Sequence, residues 1–219
     1  AARYTTNFDQ TAYMQSGIQG VPDWYTVDFN NDPKTNSNTR WTYTTSTSPS
    51  YQSAFNGSFS INMWHKKTPD SSLSPGANQY IFAQGGSNSH DLMWAYFTST
   101  KIKFKIKQGS NNLDTTFNYT RPEGQWDMLT FVWDNSTEYV YFYINGVLKK
   151  SAYWSALDMA SYDPTQGGNP SLGGGGRLWF GSAANYSSRA GSIIDGEIAQ
   201  VGFFDVGLGS SQITNMFNQ

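Results

Sequence analysis

The chain has no cysteine, only two histidines, and little charge of either sign: 14 Lys and Arg stand against 16 Asp and Glu, for a formal net charge of −2. Without cysteine there is no disulfide, no thiolate metal site and no cysteine nucleophile. Redox compartment stays open, because a chain of 219 residues buries enough apolar surface to fold without staples. So weak an overall charge gives no field to draw in nucleic acid or a membrane surface, although a local patch can still matter. Glutamate is scarce, occurring only at Glu123, Glu138 and Glu197. No apolar run approaches the roughly 20 residues of a membrane span, and no basic-then-apolar leader opens the chain. Ala1 in place of Met points to a processed product or a piece of something longer.

What is abundant is aromatic (16% of residues) together with Ser, Thr, Asn and Gly, a composition poor for helices and good for strands joined by turns. Period-two segments bounded by turn residues recur at 24–29, 40–45, 59–66, 79–84, 92–97, 101–107, 126–134, 139–144, 177–181 and 196–205. Short strands in such a series predict an antiparallel sandwich. Asn145-Gly146 between two apolar-rich runs predicts a type I′ hairpin, since both residues tolerate positive φ. The turn-rich stretches 30–39 and 163–176 read as loops inside one domain spanning 1–219. One helix is expected, at the C-terminus, where Ser210 or Ser211 can cap and Ile213, Met216 and Phe217 share a face.

The ordered segments "NFDQTAYMQSG", "FNGSFSINMWHKK", "GQWDMLTFVWDNSTEYVYFYINGVLKK", "RLWFGSA" and "IDGEIAQVGFFDVGLGSSQITNMF" resemble the laminin-G-like and pentraxin-like branch of the concanavalin A-like lectin/glucanase superfamily. The resemblance spans nearly the whole chain. It implies an all-β fold, a two-sheet antiparallel jelly-roll sandwich of roughly a dozen strands. It also implies a buried aromatic at Trp64 and Trp126, and it leaves function open, because this fold hosts lectins, adhesion modules and enzymes alike.

Catalysis finds little support. Glycan-cleaving relatives carry E-x-D-x-x-E on one strand, and a retaining glycosidase needs two carboxyl groups about 5 Å apart. Here the three Glu are far apart, and the nearest pair, Asp195 and Glu197, sits at the start of the closing strand, where a structural role is expected. His65 and His90 belong to no lyase-type motif, and no G-x-S-x-G elbow occurs. His65 is expected to face solvent or an interface. Catalytic residues are therefore predicted to be none.

Binding features are richer. Resemblance to the pentraxin calcium loop implies that Asn88 and Asp91 in "GGSNSHDL" would supply oxygens to one Ca²⁺; an ordinary polar loop is the alternative. "KIKFKIK" alternates strictly, so Lys103 and Lys105, with Lys101 and Lys107, line one face of a half-buried strand. Successive lysines there are about 6.8 Å apart, a ladder able to follow sulfated or uronic-acid sugars, or simply a device against edge-to-edge aggregation. Tyr153 and Trp154 follow the hairpin, Tyr162 and Tyr186 lie in rim loops, Trp24 and Tyr25 open an early strand, and Trp179 alternates with Leu178 and Phe180. Such aromatics can stack on sugar rings or pack a neighbouring subunit. Asn-x-Ser/Thr sequons at Asn56, Asn118, Asn135 and Asn185 are about as many as this composition produces by chance.

The hairpin strand Tyr139–Ile144 is apolar on both faces. Val140, Phe142 and Ile144 are expected in the inter-sheet core, leaving Tyr139, Tyr141 and Tyr143 to solvent, a partner or a glycan. These features together point to a non-catalytic carbohydrate-binding or adhesion module on a phage-type virion surface or in a secreted multidomain protein. Its partners would be a glycan or cell-surface polysaccharide and other subunits, with no nucleic acid and no membrane insertion. The alternative is a structural component whose exposed aromatic face makes protein contacts; an enzyme is the third reading.

Overall fold

The computed structural model describes residues 57–67, 78–84, 92–162, 178–181, 194 and 196–219, with backbone alone at 14–16, 25–28, 41–43, 92, 160, 178 and 179. In chain order the strands are β1 (Met14–Ser16), β2 (Tyr25–Asp28), β3 (Trp41–Tyr43), β4 (Phe59–Lys66), β5 (Gln79–Gln84), β6 (Leu92–Phe97) and β7 (Lys101–Gln108), followed by β8 (Asn111–Asn118), β9 (Trp126–Asp134), β10 (Tyr139–Ile144), β11 (Val147–Tyr153), β12 (Leu178–Phe180) and β13 (Glu197–Phe204). The helix α1 (Ser210–Phe217) closes the chain. Two antiparallel sheets result, one of seven strands in the order β1-β2-β13-β4-β9-β10-β11 and one of six in the order β3-β12-β5-β6-β7-β8.

Alternation decides which side chains meet between the sheets. Phe59, Ile61 and Met63 of β4, Leu129, Phe131 and Trp133 of β9, and Val140, Phe142 and Ile144 of β10 face Phe82, Ala95, Phe97, Ile102, Phe104 and Ile106 of the other sheet in one buried cluster. Ring contacts bridge the layers, with centroids 5.0 Å apart for Phe82 and Phe131 and 4.4 Å for Phe117 and Phe142. After β11 the chain plugs one end of this core with Leu157, Met159 and Tyr162. Gln108 fastens that segment by accepting from the Asp158 N–H at 2.8 Å and donating to Ser161 Oγ at 2.7 Å.

Parity also overturns an expectation. His65 shares the side of Phe59, Ile61 and Met63, so it is 2% exposed and packs on Phe97 at 5.1 Å between ring centroids, rather than facing solvent. Trp64 has the opposite parity; it lies half-buried outside the inter-sheet core, stacked on Phe217 of α1 at 5.8 Å. Trp126 is likewise only half-buried, with Lys66 Nζ 5.1 Å from its ring centre.

The helix answers most of the question that the tyrosine face raised. Ile213 is fully buried and, with Leu208, Met216 and Phe217, covers Met128, Val132, Tyr143 and Trp64 on the outer side of the seven-stranded sheet. Tyr143 is therefore 6% exposed, and half-buried Tyr141 packs against the same cluster. The chain itself, not only solvent, a partner or a glycan, occupies that face. Burial, with the neighbouring Tyr141 adding to it, raises the pKa of the Tyr143 phenol. The cap is Gly209 rather than Ser210 or Ser211: its N–H donates to Gln212 Oε1 at 2.9 Å. Ser60 Oγ ties down the approach to the helix by donating to the Val206 carbonyl at 2.8 Å and accepting from the Leu208 N–H at 2.9 Å.

Two backbone devices keep the register. Asn145 (φ 52°) and Gly146 (φ 76°) make the positive-φ hairpin turn. The Asn145 amide then accepts from the Met128 N–H at 2.8 Å and donates to Asp127 Oδ1 at 2.7 Å, locking the turn onto β9. In β13 a bulge between Ala199 and Gly202 places two residues opposite one, which lets both Ile198 and Phe203 enter the core despite their unequal parity.

Candidate functional site

Outward from the six-stranded sheet lies an aromatic floor. Tyr80 of β5 and Trp94 and Tyr96 of β6 have ring centroids 4.8 Å (Trp94–Tyr96), 5.4 Å (Tyr80–Tyr96) and 6.3 Å (Tyr80–Trp94) apart. Trp94 and Tyr96 alternate with core Met93, Ala95 and Phe97, and Tyr80 is the register partner of Tyr96 across a bulge that separates it from core Phe82, so all three lie outside the inter-sheet layer. Register brings the lysines of β7 beside them: Lys105 pairs with Trp94 and Lys103 with Tyr96. Lys105 Nζ lies 5.7 Å from the Trp94 ring centre and Lys103 Nζ 6.0 Å from that of Tyr96. Each ammonium is thus held over a ring face while its stem covers the ring, an arrangement worth about 0.5–1 kcal/mol at an exposed site.

These charges are not spent on carboxylates. The two ion pairs among the described residues join Lys66 to Glu197 at 2.5 Å and Lys67 to Glu123, and neither involves Lys101, Lys103 or Lys105. Asp114 of β8 is the register partner of Lys105 but is not within ion-pair distance of it. The result is a row of ammonium groups on a rigid apolar floor, in a chain whose net charge is negative.

A second aromatic group stands on the outer side of the seven-stranded sheet, at the β9–β10 turn. Tyr139 stacks on Tyr141 with centroids 5.8 Å apart and meets Tyr153 of β11 at 5.3 Å. Tyr153 is 54% exposed, and its hydroxyl donates to Glu138 Oε2 at 3.0 Å. The turn is built by Asp134, whose Oδ1 accepts from the Ser136 N–H at 2.9 Å and hydroxyl at 2.7 Å and whose Oδ2 accepts from the Thr137 hydroxyl at 2.9 Å. Burial alone would raise the Asp134 pKa; these hydrogen bonds outweigh it and hold the carboxyl below its ordinary range.

The sequence-predicted residues divide accordingly. Lys103 and Lys105 sit together on the first group, while Tyr141 and Tyr153 sit on the second. Trp154 is half-buried against the inter-sheet core, and its Nε1 is buried without a hydrogen-bond partner. Tyr162 is no rim residue: it is 2% exposed and donates its hydroxyl to Gln84 Oε1. Trp179 occupies the register position beside Ala83 in β12. The backbone of Tyr25 opens β2, whereas Trp24, Tyr186, Asn88, Asp91, His90 and Asp195 lie outside the described residues. Tyr80, Trp94 and Tyr96 were missed by the sequence reading. "LMWAYF" is apolar at every position, so it announces a strand without saying that Trp94 and Tyr96 lie on the far side.

Several of the described carboxylates are engaged in contacts that hold the fold. Glu197 pairs with Lys66, Glu123 with Lys67, Glu138 with Tyr153, and buried Asp127 accepts from the Tyr119 hydroxyl and the Asn145 amide. Among the described residues no three His, Cys, Asp or Glu side chains are grouped as metal ligands.

Comparison with solved structures finds the same architecture in sugar-binding and receptor-binding domains. The carbohydrate-binding module (CBM40) of the Ruminococcus gnavus IT-sialidase, in its structure bound to alpha2,3 sialyllactose, is 13% identical at a TM-score of 0.59, covering 80% of this chain and 91% of that one. The binding domain of botulinum neurotoxin serotype G is 15% identical at a TM-score of 0.65, covering 97% of this chain and 46% of that one. The leech intramolecular trans-sialidase is 15% identical at 0.57, covering 80% of this chain and 26% of that one. This chain thus spans about half of the toxin domain and a quarter of the leech enzyme, and at these identities the likeness is one of fold. No curated protein matches the sequence. The model of a laminin-G-like family described as "Concanavalin A-like lectin/glucanases superfamily" matches residues 36–214. That match covers most of the chain, and the two-sheet architecture agrees with it: the protein belongs to this laminin-G-like family of the concanavalin A-like lectin/glucanase superfamily.

Proposed function

We propose that the chain is a non-catalytic glycan-binding module whose binding face is the outer side of the six-stranded sheet. The observation that carries this reading is the floor of Tyr80, Trp94 and Tyr96 beneath the ammonium groups of Lys103 and Lys105, which form no ion pair among the described residues. Aromatic rings offer sugars an apolar surface, and lysines in a row offer carboxylate- or sulfate-bearing sugars a point-charge partner at each step. Support comes also from the fold neighbours, one of which is a carbohydrate-binding module solved with sialyllactose. In the same reading the module is displayed outside the cell, on a virion surface or within a secreted multidomain protein. Its richness in Ser, Thr, Asn and Gly supports that setting.

A glycan array probed with the full chain, in calcium and again in chelator, tests the reading. Binding to acidic glycans is expected, weakened about tenfold or more by Trp94→Ala and by Lys103→Glu with Lys105→Glu. One observation favours the structural alternative. Val147 and Leu148 are 55% and 47% exposed on β11, the edge strand of its sheet, which suits protein contact. A folded sample that binds no glycan and forms oligomers by light scattering would move the conclusion to that reading.

A further inference from the structure

We propose that Tyr139, Tyr141, Tyr153 and Glu138 form a second glycan site, on the opposite sheet from the lysine-bearing face and selective for neutral sugars. The three rings form a shallow platform with centroid spacings of 5.8 and 5.3 Å, and Tyr153 at its margin is 54% exposed. Tyr141 packs on the apolar cluster under α1, and hydroxyl groups line the other margin of the platform. Thr137 Oγ1 lies 3.5 Å from the Tyr141 hydroxyl, and Ser151 is the register partner of Tyr141. A sugar presents apolar C–H faces to such rings and hydroxyls to the polar groups beside them, the two chemistries this platform offers together.

Charge selects the class of sugar. Glu138 has no ion-pair partner among the described residues, and only its Oε2 is engaged, by Tyr153. Oε1 is left as an acceptor for sugar hydroxyls, which all donate; a uronate or sulfate would instead meet a like charge. The Tyr139 hydroxyl likewise makes no hydrogen bond to the described residues, so the platform has both an acceptor and a donor to offer. Its geometry is set in advance. Glu138 adopts a left-handed φ of 58°, its carbonyl accepts from the Trp154 N–H at 2.8 Å, and Asp134 closes the turn beside it. A ligand would find these groups already placed, which lowers the entropic cost of binding.

The site is independent of the lysine face, and the two together would let one module bridge two chains. Isothermal titration of the full chain with cellohexaose, xylohexaose and mannohexaose, and separately with heparin hexasaccharide, separates the two sites. Tyr153→Ala is expected to weaken neutral-sugar binding about tenfold or more and to leave the heparin arm unchanged. Glu138→Gln should weaken it severalfold, and Trp94→Ala should not touch it. Tyr153 is exposed, so its truncation leaves the core packing intact, and circular dichroism of each variant checks this. The proposal is overturned if no neutral hexasaccharide binds the folded chain, or if Trp94→Ala abolishes neutral binding while Tyr153→Ala spares it. Dimers that Tyr153→Ala dissolves would assign the platform to a second copy instead. Silence in the heparin arm alone sinks the lysine-face reading and leaves this one standing.

Discussion

Asp127 is a buried carboxylate held by the Tyr119 hydroxyl on one oxygen and the Asn145 amide on the other. Replacing it by Ala strands both donors in a site that water reaches poorly, so Asp127→Ala should cost about 2–4 kcal/mol in urea unfolding. Burial first, then the bond to Asp127 and its charge, push the Tyr119 pKa far above the ordinary phenol value. The folded state therefore keeps this proton where the unfolded chain gives it up. The contribution is fully present below about pH 10 and lost as pH climbs beyond it, with buried Tyr143 adding to the same slope. In Tyr119→Phe the alkaline fall in stability should be shallower. At Gly196 the constraint is steric: φ is 125°, and a Cβ would sit 1.9 Å from the Lys66 carbonyl oxygen. Gly196→Ala must displace backbone between β13 and β4, and a loss of about 3 kcal/mol or more in thermal or urea unfolding is expected.

Among elements, α1 is the one whose removal tests the architecture. Ile213 fills the second cluster completely, so Ile213→Ala should cost about 2–4 kcal/mol. Truncation before Ser210 should expose Trp64 and Tyr143, read as a red-shifted tryptophan emission and a Tyr143 titration returning toward the ordinary range. The helix was legible because Ile213, Met216 and Phe217 fall at helical spacing. Its destination was not, since periodicity marks an apolar face without naming what the face meets. Strands β4, β5, β6, β9 and β10 were legible to the residue, their apolar-rich runs ending in turn residues at both ends. The edge strand β8 escaped, because Leu113 is its only fully buried residue and its polar side chains read as loop; its pairing with β7 supplies what its composition lacks. His65 and Trp64 were assigned to the wrong sides because residue type was weighed above parity with Phe59, Ile61 and Met63. Parity was the better guide, and the same rule would have revealed Trp94 and Tyr96 as outward neighbours of Lys103 and Lys105.

For the whole molecule, what counts is where charge sits rather than how much there is. A net charge of −2 conceals the row on β7, where four lysines face one carboxylate, Asp114, across the β7–β8 ladder. Attraction of acidic glycans to that row should be screened within a Debye length of about 8 Å at physiological salt. Raising sodium chloride from 0.05 to 0.5 M is accordingly expected to weaken the heparin arm about tenfold or more, while neutral-sugar affinity stays level. The Phe117–Phe142 contact joins β8, an edge of one sheet, to β10, the neighbour of the other sheet's edge strand β11, across the core. Composition could not have shown this, because the adjacency of 117 and 142 arises only when the two sheets stack.

The hairpin amide gives the molecule a chemical lifetime as well as a shape. Asn-Gly is the dipeptide most prone to deamidate, through attack of the glycine nitrogen on the asparagine amide carbon, yet Asn145 is clamped by Met128 and Asp127, and the Thr214 hydroxyl donates to the Gly146 carbonyl at 3.2 Å. While the helix stays docked, the cyclisation geometry is withheld. Once the turn opens and the amide becomes a carboxylate, it faces Asp127 as a like charge and cannot re-form the clamp. Ageing at this one bond would then be a record of past unfolding, read by mass spectrometry as a unit gain at Asn145.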